Sequence, residues 1–130
     1  MLVSALRDAA LLASRVLLGA IFVIEGYTKI RGYGETAAYM QAHGVPDVLL
    51  PLVIAVELLG GLLIVAGWLT RPAAFTLAGF CLLTALLFHL DFASRNQVIN
   101  FLKNLAIAGG FLALFVSGPG SWSIDGRKDL

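Results

Sequence analysis

Charge is scarce in this chain. Asp, Glu, Lys and Arg make up 13% of its 130 residues, about half the share of a soluble domain, which argues against an ordinary water-solvated surface. The net charge is +1, so there is no basic stripe for nucleic acid. Cysteine occurs once, at Cys81, which excludes a disulfide framework, a CxxC redox pair and a cysteine-based zinc set. Cys81 lies inside a hydrophobic run and reads as a packing residue, because apolar surroundings suppress the thiolate. Low-complexity segments and convincing repeats are absent. So are a GxGxxG fingerprint for a flavin or nicotinamide cofactor, a metal-ligand set, and a pair of span histidines that could ligate haem.

Apolar residues are abundant: 59% of the chain is hydrophobic and its mean hydropathy is +0.90. Four runs are long enough to cross a bilayer as helices: residues 9–30, 48–68, 72–90 and 97–117, followed by Gly118-Pro119-Gly120 and a polar tail to residue 130. Arg15 interrupts the first run and apolar residues continue past Ile24, so that run reads as a retained span rather than a cleaved signal. The pattern predicts an all-α integral membrane four-helix bundle forming one domain. In the first connection, 31–47, Tyr33, Ala37 and Met40 fall at i, i+4 and i+7, which predicts a short interfacial helix ended by Gly44 and Pro46. Thr70 and Arg71 read as the tight turn between the second and third spans, and 91–96 as another short connection.

Four spans place both termini on one side of the membrane. Trp68 and Trp122 fall on that side, and Tyr27, Tyr33 and Tyr39 on the other; such rings favour the headgroup level. Arg7, Arg15, Arg71, Arg127 and Lys128 on the terminal side outnumber Lys29, Arg31, Arg95 and Lys103 opposite, which favours cytoplasmic termini.

The scarce charges fall where they are costly. Glu57 lies near the middle of the second run, and a carboxylate at that depth costs roughly 2.5–3.5 kcal/mol on insertion scales. It must be neutralised, paired or turned into the bundle. At 100° per residue the first span aligns Arg15, Gly19, Phe22, Gly26 and Lys29. The second aligns Glu57, Gly61, Ile64 and Trp68, with Gly60 alongside. The third aligns Ala78, Leu82, Ala85 and His89, and the fourth Asn96, Lys103, Ile107, Gly110, Leu114 and Ser117. Helices associate in lipid through small residues and buried hydrogen bonds, so these stripes are expected to face inward, with Gly19, Gly26, Gly60, Gly61 and Gly110 as packing positions. Glu25, Lys29, Glu57, His89 and Lys103 all approach from the side opposite the termini, and together they predict one polar pocket.

Each residue also has a plainer reading. Glu57 paired with Lys103 or Arg15 would fix helix register. Glu25 and Lys29 lie near enough to the interface to snorkel, Arg15 to reach headgroups, and His89 to sit at the interface. His43 reads as solvated, and Asn100 and Asn104 as bridges between helices.

The order of features carries a resemblance. Arg15 precedes Glu25-Gly26-x-x-Lys29; Gly44-Val45-Pro46, Glu57-Leu58-Leu59-Gly60-Gly61 and Gly67-x-x-x-Arg71 follow; His89 closes the third span and Phe101-Leu102-Lys103-Asn104 lies in the fourth. From about Arg15 to Ser123 the chain resembles the DoxX family of small four-span bacterial membrane proteins. The resemblance implies a bacterial inner-membrane location and a link to membrane oxidoreductase assemblies. It implies no catalytic residue. Any electron-transfer role would rest on a diffusible quinone or on partner proteins, since the chain has no intrinsic cofactor motif. Three functions are therefore expected in turn: an auxiliary, non-catalytic subunit of a quinone-linked redox system, a small-molecule or proton-coupled carrier or channel subunit, and a purely structural membrane protein. The bilayer is the one partner the composition requires; redox-complex partners and self-association as a homo-oligomer stay open.

Overall fold

A computed structural model describes residues 1–127; the last three residues of the polar tail, Lys128 among them, lie outside the described residues. The fold is all-α, with no strand among the described residues. Helix α1 spans Leu2–Arg31, α2 Tyr33–Ala42, α3 Leu50–Ala66, α4 Thr70–Phe88 and α5 Arg95–Ser117, with 3-10 turns at Asp47–Leu49 and Asp125–Arg127. The helical segments Leu2–Arg31, Asp47–Ala66, Thr70–Phe88 and Arg95–Ser117 are long and apolar enough to cross a membrane.

Helix α1 has 30 residues, about 45 Å at helical rise, so it exceeds the ~30 Å hydrocarbon core. Its last turn carries Lys29 and Arg31, cations suited to a helix C-terminus. The short helix expected between the first two spans is α2. It covers the end of the bundle opposite the termini: Met40 is buried, and Tyr39 stacks on Phe88 of α4 with ring centres 5.4 Å apart.

The connection between α3 and α4 differs from the expectation. The turn is Gly67-Trp68-Leu69, and Thr70 and Arg71 already belong to α4. Gly67 adopts the left-handed conformation at φ 70°. Its N–H donates to Ile64 O and that of Trp68 to Leu63 O, the paired bonds that close a helix at a left-handed glycine. Leu69, in the N-cap position of α4, has no polar side chain to offer. Asp125 supplies the cap from the far end of the chain. Its carboxylate oxygens accept the N–H groups of Leu69 at 3.0 Å and Thr70 at 2.9 Å.

Helix α1 packs most extensively on α3 and α4 on α5, while the α3–α4 and α1–α5 seams are looser. Glycine makes the first contact possible. A Cβ on Gly61 would lie 2.8 Å from Gly19 O and 2.9 Å from Val23 N, so the two backbones touch directly, as small residues allow in lipid. Between the pairs, Phe22, Ile64, Leu77, Cys81, Phe111 and Leu114 form the core, with Phe22 and Phe111 ring centres 5.5 Å apart. The stripe Arg15, Gly19, Phe22 and Gly26 is the buried face of α1. In α5 the buried face is Ala108, Phe111 and Leu114, rotated from the expected Lys103–Gly110 stripe, because α5 packs chiefly on α4.

After α5 the chain turns back under the bundle. Ile124 N–H donates to Ala66 O and Asp125 N–H to Gly67 O, while Ser121 N–H donates to Asp8 Oδ1. The tail thus stitches α1 to the α3–α4 turn and closes the terminal face.

Candidate functional site

Glu57 sits two turns into α3, about 10 Å from its start at helical rise, and is only 4% exposed. It faces α1 because the Gly19–Gly61 contact brings the two helices together. Lys29, near the end of α1, reaches back toward it: Nζ lies 2.9 Å from Glu57 Oε1. The approach is off the hydrogen-bonding direction, so the contact is an ion pair rather than an aligned bond. The same Nζ lies 3.4 Å from Glu25 Oε2, one turn earlier on α1. Two carboxylates thus share one ammonium. Their burial differs, since the Glu57 side chain is 6% exposed and that of Glu25 49%. Lys29 turns inward instead of snorkelling, and the partner of Glu57 is neither Lys103 nor Arg15.

Lys103 lies on a different helix, α5. The Leu18 side chain packs on Gly110, 3.1 Å from where a Cβ would stand. From that contact the antiparallel helices α1 and α5 run toward the opposite end. Seven residues along each, about 10 Å, come Glu25 and Lys103. Seven residues is nearly two whole turns, so each stays close to the face that holds the Leu18–Gly110 contact. They stand level across the loosest seam of the bundle. Lys103 is exposed and makes no ion pair among the described residues. Glu25, Lys29 and Glu57 thus cluster between α1 and α3, while Lys103 stands at a similar depth on α5, with Leu18 packed against Gly110 nearer the termini.

His89 follows the last residue of α4, at the end of the bundle opposite the termini. Its Nδ1 is 2.8 Å from Gln97 Oε1 of α5, a contact that ties the two helices across their connection. His43 is exposed, and its ring packs against Tyr39 and Phe88. Asn104 does not bridge helices: its Nδ2 donates to Asn100 O within α5. Among the described residues no group of three or more His, Cys, Asp or Glu could hold a metal ion.

A second polar cluster lies at the other end, where no local pattern announces it. Arg15 is 1% exposed and donates from Nη2 to the carbonyl of Trp122. It does not reach the headgroups, because the returning tail covers it. Asp125 lies close enough to act on it electrostatically. The only sequence signal for this closure was Gly118-Pro119-Gly120, which permits a reversal without specifying where the tail docks.

The fold and the polar interior together define a small multi-span membrane protein whose few intramembrane charges converge between helices. Comparison with known proteins gives this class a family. The DoxX family profile matches residues 10–90, and the chain belongs to the DoxX family. It is 51% identical over 120 residues to the inner membrane protein YqjF of Escherichia coli K12, covering 92% of each chain. It is 39% identical over 130 residues to the inner membrane protein YphA of the same organism, covering 95% of this chain and 93% of YphA. A shorter match, 35% over 57 residues, covers 44% of this chain and 42% of a Bacillus subtilis protein named "Putative oxidoreductase CatD". No solved structure matches significantly. The protein is thus an inner-membrane, multi-pass member of the family.

Proposed function

We propose that this protein is an auxiliary, non-catalytic subunit of a membrane redox system, and that the seam between α1 and α5 receives the headgroup of a small amphiphile, a quinone. The observation that carries this reading is the charge count of this region. Glu25 and Glu57 share the single ammonium of Lys29, while Lys103 stands exposed across the seam. A pair whose only task was to fix helix register would be neutral and closed. Here one ammonium serves two carboxylates of unequal burial and Lys103 makes no ion pair among the described residues, and intramembrane ionisable groups mark functional sites by default. A quinone carbonyl would accept a hydrogen bond from Lys103 or Lys29, and a hydroquinone hydroxyl would donate to Glu57 or Glu25. His89 at that end of the bundle is suited to take up or release a proton. The apolar walls of the looser seam suit a ring and its tail. The relative with an oxidoreductase name supports the redox setting.

The test is direct. The protein is purified in mild detergent, its lipids are extracted, and quinone is measured by mass spectrometry alongside titration with a short-chain quinone. Retained quinone that falls sharply in a Glu57→Gln, Lys103→Met variant is the expected result. A folded protein with neither retained nor titratable quinone would overturn the proposal.

A further inference from the structure

Two cavities meet on the terminal half of the molecule, away from the Glu57 cluster. The first, of about 330 Å³, is lined by Thr70, Arg71, Pro119, Gly120 and Asp125, with Leu69 and Pro72 at its edge. The second, also about 330 Å³, is an apolar furrow in the α3–α4 seam, lined among others by Val56, Leu59, Leu63, Ala73 and Thr76, and it shares Leu69 and Pro72 with the first. The first cavity, a chamber lined partly by polar groups, therefore adjoins a lipid-facing furrow. The chamber lies at the level of Trp68 and Trp122, both half-exposed, as rings at the headgroup level are. From there the furrow runs toward the membrane centre, spanning about 12 Å of α3 from Leu63 to Ala55 at helical rise.

The chamber has the chemistry for a phosphoryl group. Arg71 donates from Nε to Phe115 O at 3.1 Å and from Nη2 to Val116 O at 3.5 Å. Those bonds fix the guanidinium against the last turn of α5 and leave Nη1 for another acceptor. Among the described residues no carboxylate lies within ion-pairing distance of Arg71, so its charge is unmatched. Thr70 is fully buried, and its Oγ1 has no partner. The carboxylate of Asp125 is directed at the N–H groups of Leu69 and Thr70, with Arg15 nearby. We infer that this paired cavity is a binding site for one membrane phospholipid, its phosphoryl oxygens taken by Arg71 and one acyl chain lying in the α3–α4 furrow. The looseness of that seam follows: the chain takes the place of side chains there.

The test is native mass spectrometry of the detergent-purified protein titrated with palmitoyl-oleoyl phosphatidylglycerol, with inorganic phosphate and glycerol 3-phosphate titrated in parallel. Two variants separate the halves of the site. Arg71→Gln removes the phosphoryl anchor. Thr76→Phe fills the furrow from an exposed position on α4, leaving the polar chamber intact. The wild type should take up one phospholipid, and each variant should bind it about tenfold more weakly, the fold-change expected for losing a charged hydrogen bond or comparable apolar contact. Circular dichroism checks that both are folded; Arg71→Lys should restore part of the binding. If Arg71→Gln fails to fold, Thr76→Phe decides alone. Unchanged lipid binding in Thr76→Phe would overturn the inference. So would inorganic phosphate or glycerol 3-phosphate binding as tightly as the lipid, which would make the chamber a site for a free anion.

Discussion

Removing Lys29 should cost far more than removing Lys29 and Glu57 together. In a Lys29→Met variant the Glu57 carboxylate, 6% exposed as a side chain, loses the one cation paired with it among the described residues. Breaking a buried pair by removing one partner costs roughly 3–5 kcal/mol. The low end applies here, about 3 kcal/mol, because Lys29 keeps 23% of its side-chain exposure and its site is partly screened. Glu57→Gln should cost less, about 1–2 kcal/mol, since Lys29 retains Glu25 at 3.4 Å and can turn toward it. The double variant replaces both charges with uncharged side chains and should lie within about 1 kcal/mol of the wild type. The expected coupling energy is therefore about 3 kcal/mol. Reversible unfolding in mixed lipid–detergent micelles with increasing SDS, followed by circular dichroism, measures all four corners of the cycle. If the two single changes add to the double within about 0.5 kcal/mol, Lys29 and Glu57 are not a buried pair and the proposed site loses its core.

Other perturbations probe the frame that holds the charge cluster. Gly61→Val should destabilise strongly, by about 2–3 kcal/mol or more, because the new Cβ would meet the backbone of α1 at Gly19 and Val23; Gly79→Ala, where nothing lies within 4 Å, should be neutral or stabilising by up to about 1 kcal/mol through helix propensity. Thermal unfolding in detergent compares the two. Asp125→Ala should cost about 1–2 kcal/mol by removing the cap of α4 and the negative charge beside buried Arg15, and it should raise protease sensitivity of the tail; an unchanged melting temperature would show that the tail does not close the terminal face.

The sequence was most legible where geometry is repetitive. Helical periodicity placed Arg15, Gly19, Phe22 and Gly26 on one buried face, because the second half of α1 packs against α3 with glycines at the close approaches. It placed Glu57, Gly61 and Ile64 on another. The same periodicity misdirected the reading of α5. A stripe through Lys103, Gly110 and Leu114 and one through Ala108, Phe111 and Leu114 differ by a modest rotation, and only the choice of α4 as main neighbour decides between them. The partner of Glu57 was out of reach for a related reason. Lys29 lies near the end of its span, where snorkelling to water and turning inward are both open to a flexible side chain, and the position of Glu57 across the α1–α3 contact selects the second. Least visible was the terminal face. That Asp125, 55 residues from Thr70, caps α4 follows from the path of the returning tail, which no local pattern encodes. The start of α4 was misplaced for this reason: Leu69 and Thr70 carry no N-cap signal of their own.

The most direct test of the central claim, that the intramembrane charges converge between α1 and α3, is a solid-state NMR distance in lipid bilayers. The nitrogen of Lys29 Nζ and the glutamate carboxyl carbons are labelled in a Glu25→Gln background, which leaves Glu57 as the one carboxylate paired with Lys29 among the described residues. Strong dipolar dephasing of the Lys29 signal, as a 2.9 Å N–O contact requires, and its disappearance when Glu57→Gln is added, is the predicted result. No dephasing, or dephasing that survives Glu57→Gln, would contradict the account.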